Sequence, residues 1–150
     1  MAGRSKEEEE LRKLSVELRF FEQTAETLQS RINMMNAAMT DLTYANMTLD
    51  GIEKEKENSE LLVPIGGGSY VKVKLANPDK VVVGMGADIS VEKTLQEAKS
   101  ILKERLGDLE KTMVSAQQQF AQVADRINTG RNRLESLLAT VREGKSPGDV

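Results

Sequence analysis

From Leu11 onward the apolar residues of the first third of the chain step by three and four: Leu11, Leu14, Leu18, Phe21, Ala25, Leu28, Ile32, Met35, Met39, Leu42, then Asn46 and Leu49. This is a heptad seam, sustained well beyond the few repeats that make such a signal credible. Glu, Arg, Gln, Thr and Ser fill the other faces, so the stripe is narrow and suits one partner helix rather than a wide core. The last third repeats the pattern through Leu102, Leu106, Leu109, Met113, Ala116, Phe120, Val123, Ile127, Gly130, Leu134, Leu137 and Val141. Two narrow seams of nearly equal length predict a long antiparallel two-helix coiled coil, about forty residues per arm and roughly 60 Å long. Reversing the chain in its middle puts Leu49 near Leu106, Leu18 near Leu137, and Gly130 opposite Ala25 or its neighbours. A helical bundle with one shared core is the alternative, disfavoured by the strict seams and by aromatics of only 3%.

The helices are expected over residues 8–58 and 94–143, with disordered tails at 1–7 and 144–150. Thr94 and Glu97 have capping-box spacing at the start of the second helix, and Gly144, Ser146, Pro147 and Gly148 end it. Asn46 has two readings. It is a buried polar residue that fixes register, or a solvated residue near a helix end.

Between the helices the period changes to two. Over residues 60–92, Pro64 lies in an apolar run, Val71, Val73 and Leu75 alternate with Lys72 and Lys74, and Val81-Val82-Val83 is apolar on both faces. Gly66-Gly67-Gly68, Asn77-Pro78-Asp79-Lys80 and Gly84-Met85-Gly86 read as turns. The expectation is four short strands forming two β-hairpins in series. Such strands are marginal alone, and their edges invite pairing. The chain has no second layer to cover Val81 to Val83 or the face bearing Val71 and Val73, so other subunits are expected to do so.

Several chemistries find no support. The chain has no Cys and no His, which removes disulfides, thiolate chemistry, the commonest zinc ligands and the commonest general base. The glycine clusters lack the following Lys-Ser/Thr and the helix start that a phosphate loop needs. Asp41, Asp50, Glu53, Glu55 and Glu57 have no nucleophile or His partner, and the 53–57 run reads as a solvated helix end. A formal charge of -3 without basic clustering argues against nucleic acid. No apolar run is long enough to cross a membrane, and the charged MAGRSKEEEE start is unlike a signal peptide. The expectations are no enzyme activity, no cofactor, no metal, no nucleic-acid or membrane partner, and a cytoplasmic location.

The LVP-I-GGGS run at 62–69 and DKVVVGMGADISVEK at 79–93, set between two long helices, resemble the alpha-type subunits of the prefoldin family. The resemblance covers roughly residues 8–143, and two hairpins rather than one distinguish the alpha type from the beta type. It implies a mainly α fold with a small β insert, whose hairpins join an oligomeric β-barrel hub in a heterohexamer of two alpha-type and four beta-type subunits. It further implies capture of unfolded proteins between coiled-coil tips and hand-over to a group II chaperonin without ATP. For this chain the expected assembly residues are Leu62, Val63, Ile65, Tyr70, Val71, Val73, Val81, Val82, Val83, Ile89 and Val91. In an antiparallel arm both chain ends lie at the tip, which makes Leu11, Leu14, Val16, Leu18, Leu137, Leu138 and Val141 the expected client contacts. Val16 and Leu138 stand off the seam, which favours contact with a client. The competing reading is a gamma-type prefoldin-like filament or spacer.

Overall fold

The computed structural model describes residues 2–143, with side chains from Lys6 onward. In chain order it contains α1 (Ala2–Glu53), β1 (Glu60–Gly66), β2 (Ser69–Lys74), β3 (Lys80–Gly86), β4 (Ile89–Thr94) and α2 (Leu95–Glu143). Helix, two hairpins and helix follow one another as the sequence predicts, but the bounds of the first helix move. Residues 2–7, expected as a tail, are helical. Glu8 and Arg12, and Glu9 and Lys13, stand four apart in the favourable order. Residues 54–58, expected as helix, are not helical. The Lys54 and Glu55 amides turn back onto the Gly51 and Ile52 carbonyls at 3.2 and 3.0 Å, and Asn58 adopts a left-handed φ of 68°. The tail expected over 144–150 lies outside the described residues.

Two compact units organise the chain, residues 36–111 and the residues on either side of them. In the flanking unit α1 pairs with α2 through the predicted seams. Leu18, Leu28, Ile32, Met35, Met113, Ala116, Ile127 and Leu137 are buried. Gly130 marks a close approach: a Cβ there would stand 2.6 Å from Leu18 Cδ2 and 3.8 Å from Leu14 Cδ1. Exposed ion pairs flank the seam, Arg131 to Glu22 at 3.1 Å and Arg133 to Glu10 at 2.9 Å. Each contributes little in water, and the Arg126 guanidinium lies 5.6 Å from the Phe21 ring centroid.

This pairing corrects the expected register. Gly130 meets Leu18, not Ala25, and in the other unit Leu49 packs with Leu95, Ala98, Ile101 and Leu102 rather than being set opposite Leu106. Both displacements amount to about one heptad. A repeat of seven is equally apolar after a shift of seven, so the seam alone leaves register degenerate.

In the unit of residues 36–111 the strands form two separate two-stranded antiparallel sheets, β1–β2 and β3–β4. β1 pairs Leu61 with Val73, Leu62 with Lys72 and Val63 with Val71. β3 pairs Val81 with Lys93, Val82 with Glu92 and Val83 with Val91. The first hairpin turns at Gly67 and Gly68 (φ 59° and 72°), the second at Ala87 and Asp88 (φ 50° and 61°). Positive φ at both central residues is the mirror-type turn whose twist matches a hairpin. Gly84-Met85-Gly86, expected as the second turn, therefore belongs to β3.

Leu49, Val83, Leu95 and Ala98 form this unit's core, with Ile52, Val81, Ile101 and Leu102 against it. Val83 is only 4% exposed, so the expectation that other subunits must cover it is corrected: the chain's own helices do. Val82, on the opposite face of the pleat, is 72% exposed. β4 runs into α2 without a linker. The Thr94 hydroxyl accepts from the Glu97 amide at 3.2 Å, and the Leu95 amide donates to the Asp79 carbonyl at 3.0 Å, so two of the first orphan amides of α2 are satisfied. Asn46 is not solvated: both its amide atoms are buried and without a hydrogen-bond partner.

Candidate functional site

Among the described residues no cluster of three or more His, Cys, Asp or Glu side chains could hold a metal, and no helix is long and apolar enough to cross a membrane. What the chain presents instead is exposed apolar surface at two places.

The first is the hairpin pair. Alternation puts Leu62, Pro64 and Tyr70 on one face of β1–β2, and Val63 and Val71 on the other. Leu62, Val63, Ile65, Tyr70 and Val71 are all exposed, and Val73 is half-buried. On the second hairpin Val82, Ile89 and Val91 are exposed, Val81 is half-buried and Val83 is buried. Of the residues expected to face other subunits, Val83 is therefore the one withdrawn into this chain. Met85, which sequence reasoning passed over as a turn residue, is exposed and lies 3.7 Å through its Sδ from an Arg105 guanidinium nitrogen. So many apolar side chains on two small sheets are far from the pattern of a free-standing surface.

The second is the end of the flanking unit that carries both chain ends. Leu18 and Leu137 are buried in the seam, and Leu11, Leu14 and Val141 are half-buried there. Val16 is 70% exposed, and Leu138 is exposed too. Sequence reasoning missed Phe20, which is exposed one helical turn from Val16. With Arg12, Lys13 and Glu17 the pair lines a shallow apolar depression on α1. The signal was present as two off-seam apolar residues four apart, the spacing of neighbours on a helix.

Electrostatics hold the hairpin unit's helix ends together. Asp50 and Glu53 sit in the last turns of α1, the wrong sign for the negative end of a helix dipole. Lys99 answers both, bonding Asp50 at 2.9 Å and also Glu53, while Gln96 donates to Glu53 at 2.8 Å. The hydrogen bond from Lys99 lowers both carboxyl pKa values below their ordinary range, and the same bonds, with Glu53 foremost, raise that of Lys99. This cluster is a clasp, with no group present for it to activate.

Comparison with known proteins agrees with the geometry. A family model described as Prefoldin, prefoldin subunit, matches residues 21–142. The prefoldin subunit alpha of Methanosarcina mazei is 32% identical over 141 residues, 92% of this chain and 96% of the relative. That of Pyrococcus horikoshii is 31% identical over 119 residues, 79% and 80% of the two chains. Among solved structures, the filamentous PFD of Methanocaldococcus jannaschii, determined by cryo-EM, superposes with a TM-score of 0.64 at 27% identity, covering 75% of this chain and 93% of that one. With helix, two hairpins and helix in that order, and with alpha-subunit relatives along most of its length, the chain belongs to the prefoldin family as one of its alpha-type subunits.

Proposed function

We propose that the chain is the alpha-type subunit of a cytoplasmic, ATP-independent chaperone complex of two alpha-type and four beta-type subunits. The hairpins join a shared β-barrel hub, and the paired helix ends hold unfolded proteins and pass them to a group II chaperonin. It is a holdase subunit and not an enzyme. The observation that carries this reading is the division of the apolar surface. The seams are closed within the chain, while Leu62, Ile65, Tyr70, Val82 and Ile89 on the hairpins stay exposed, as does the off-seam pair Val16 and Phe20. Paired β-edges in a closed barrel remove that exposure.

At the helix ends Val16, Phe20 and Leu138 meet clients directly, and the seam residues Leu11, Leu14, Leu18, Leu137 and Val141 join them as the ends fray. Each apolar side chain buried on a client contributes at most ~1.5–3 kcal/mol, less the cost of ordering. One arm therefore grips weakly, and several arms on one hub grip by effective concentration. Replacing Val16, Phe20 and Leu138 together by Ser leaves the seam intact. The expected outcome is an unchanged hexamer mass with suppression of client aggregation largely lost, and undiminished suppression overturns the assignment of these side chains.

A second reading has one observation in its favour, the filamentous assembly of the Methanocaldococcus jannaschii relative. In that reading the chain is a gamma-type structural filament or spacer. Co-expression with a beta-type partner separates the two. A discrete mixed hexamer supports the chaperone, and long self-assemblies support the filament.

A further inference from the structure

A second heptad-spaced stripe runs along α1 on the side away from the seam already described: Ala37, Thr40, Tyr44, Met47 and Gly51. Steps of three and four place these on one helix face, opposite the seam residues Met39, Leu42, Asn46 and Leu49. All five stripe residues are exposed, Tyr44 at 64% and Met47 at 62%.

Two observations mark this face as unlike a solvated one. First, there is no Lys or Arg between Arg31 and Lys54, whereas α2 carries Lys99, Lys103, Arg105 and Lys111 over its first turns. Charged residues normally occupy a water-facing helix surface. Second, Gly51 lies within α1 and has nothing within 4 Å of where a Cβ would stand. A helical glycine costs about 1 kcal/mol against Ala, and no contact within this chain requires one. Glycine lets a second backbone pass close by.

We propose that this stripe seats a helix of a neighbouring beta-type subunit. The proposal rests on the reading of the chain as a subunit of a mixed prefoldin complex. Small Ala37, Thr40 and Gly51 interleave with large Tyr44 and Met47, which offers holes and knobs to a facing helix. Asp41 flanks the stripe, and the nearby Asp50 is taken by Lys99. The complementary helix is therefore uncharged along its contact line with Lys or Arg beside it. The stripe also lies in the same unit as the exposed hairpin faces, so one neighbour can reach both.

The test uses the full chain with a beta-type partner and a photo-crosslinking benzoylphenylalanine in place of Tyr44 or, separately, Met47. The expected result is adducts on helical residues of the partner, spaced by three and four. Adducts only on its strands, on a client, on a second copy of this chain, or nowhere in an intact complex overturn the proposal. If the unsubstituted chains form no mixed complex, it is the reading as a hexamer subunit that falls. Independently, Tyr44→Lys with Met47→Lys is expected to weaken association at least tenfold while leaving the melting of the isolated chain unchanged. Gly51→Ala is expected to raise the melting temperature of the isolated chain yet weaken association. Association unchanged in both variants overturns the proposal.

Discussion

The two hairpins share a plan: a seven-residue strand, a six-residue strand, an irregular register before the turn, and a two-residue mirror-type loop. They differ in how they are attached. The second is rooted. Val83 enters the helical core, Leu95 bonds back to Asp79, and Thr94 is both the last residue of β4 and the cap of α2. The first has no fully buried side chain and is tied at its base by backbone bonds, Asn58 to Leu75 at 2.7 Å and Leu75 to Ser59 at 2.9 Å. One hairpin is thus part of the subunit's own fold, and the other is held out from it. A free-standing two-stranded sheet is marginal in water, so the first hairpin is the more dependent on neighbours.

The largest test of that contrast places a charge in each hairpin. Val83→Asp buries an unpaired carboxylate and is expected to destabilise the isolated chain by about 3 kcal/mol or more. Leu62→Asp is expected to shift it by no more than about 0.5 kcal/mol, while blocking co-assembly with a beta-type partner. Thermal melts and native mass measurement on both variants check the pair, and equal losses of stability break the distinction.

The turns give the next effect. Gly68→Ala forces a Cβ into a left-handed conformation and is expected to cost about 1–2 kcal/mol, and Ala87→Gly to gain a similar amount. Because the second hairpin is coupled to the core, the gain at Ala87 should register in the global melt. The loss at Gly68 should show mainly as faster amide exchange confined to β1 and β2.

Thr94→Ala removes the cap joining β4 to α2 and is expected to cost about 1 kcal/mol. Ser59→Ala, which removes only an exposed hydroxyl that accepts from the Lys56 amide at 3.2 Å, should cost less, again by thermal melt.

The smallest effect is the pH dependence of the Lys99 clasp. Its carboxylates have folded pKa values below the unfolded ones, so their contribution is present above about pH 4 and fades as pH falls through the folded values. Lys99 is shifted the other way. Its contribution is complete below about pH 10 and is lost as pH rises through the folded value. Lys99→Met should flatten both limbs of the melting-temperature profile, and a profile unchanged in shape removes the clasp from the account.

Much of this was legible in the residues. The seams, the hairpins and the cap at Thr94 follow from period and local chemistry, which act over a few residues. What was not legible depends on distant partners or on competition among similar signals. The expected register is about a heptad off because Leu18 fits an apolar position on either side of the observed one, where it faces Gly130. The second turn was misplaced because Gly84 and Gly86 drew attention from Ala87 and Asp88, which adopt positive φ without being glycine. Val83 read like Val82, since nothing local says which face of a strand a helix will cover. At the helix ends, Val16 stood out as off-seam, but Phe20 escaped notice beside the seam residue Phe21.

The direct passage of β4 into α2 has a mechanical consequence. With Thr94 in the strand ladder and Leu95 already helical, no slack separates sheet from helix, so torque applied to the second hairpin enters the first turn of α2 undamped. The first hairpin is joined instead through the non-helical stretches at 54–59 and 75–79. A subunit gripped by both would be steered through one joint and cushioned through the other.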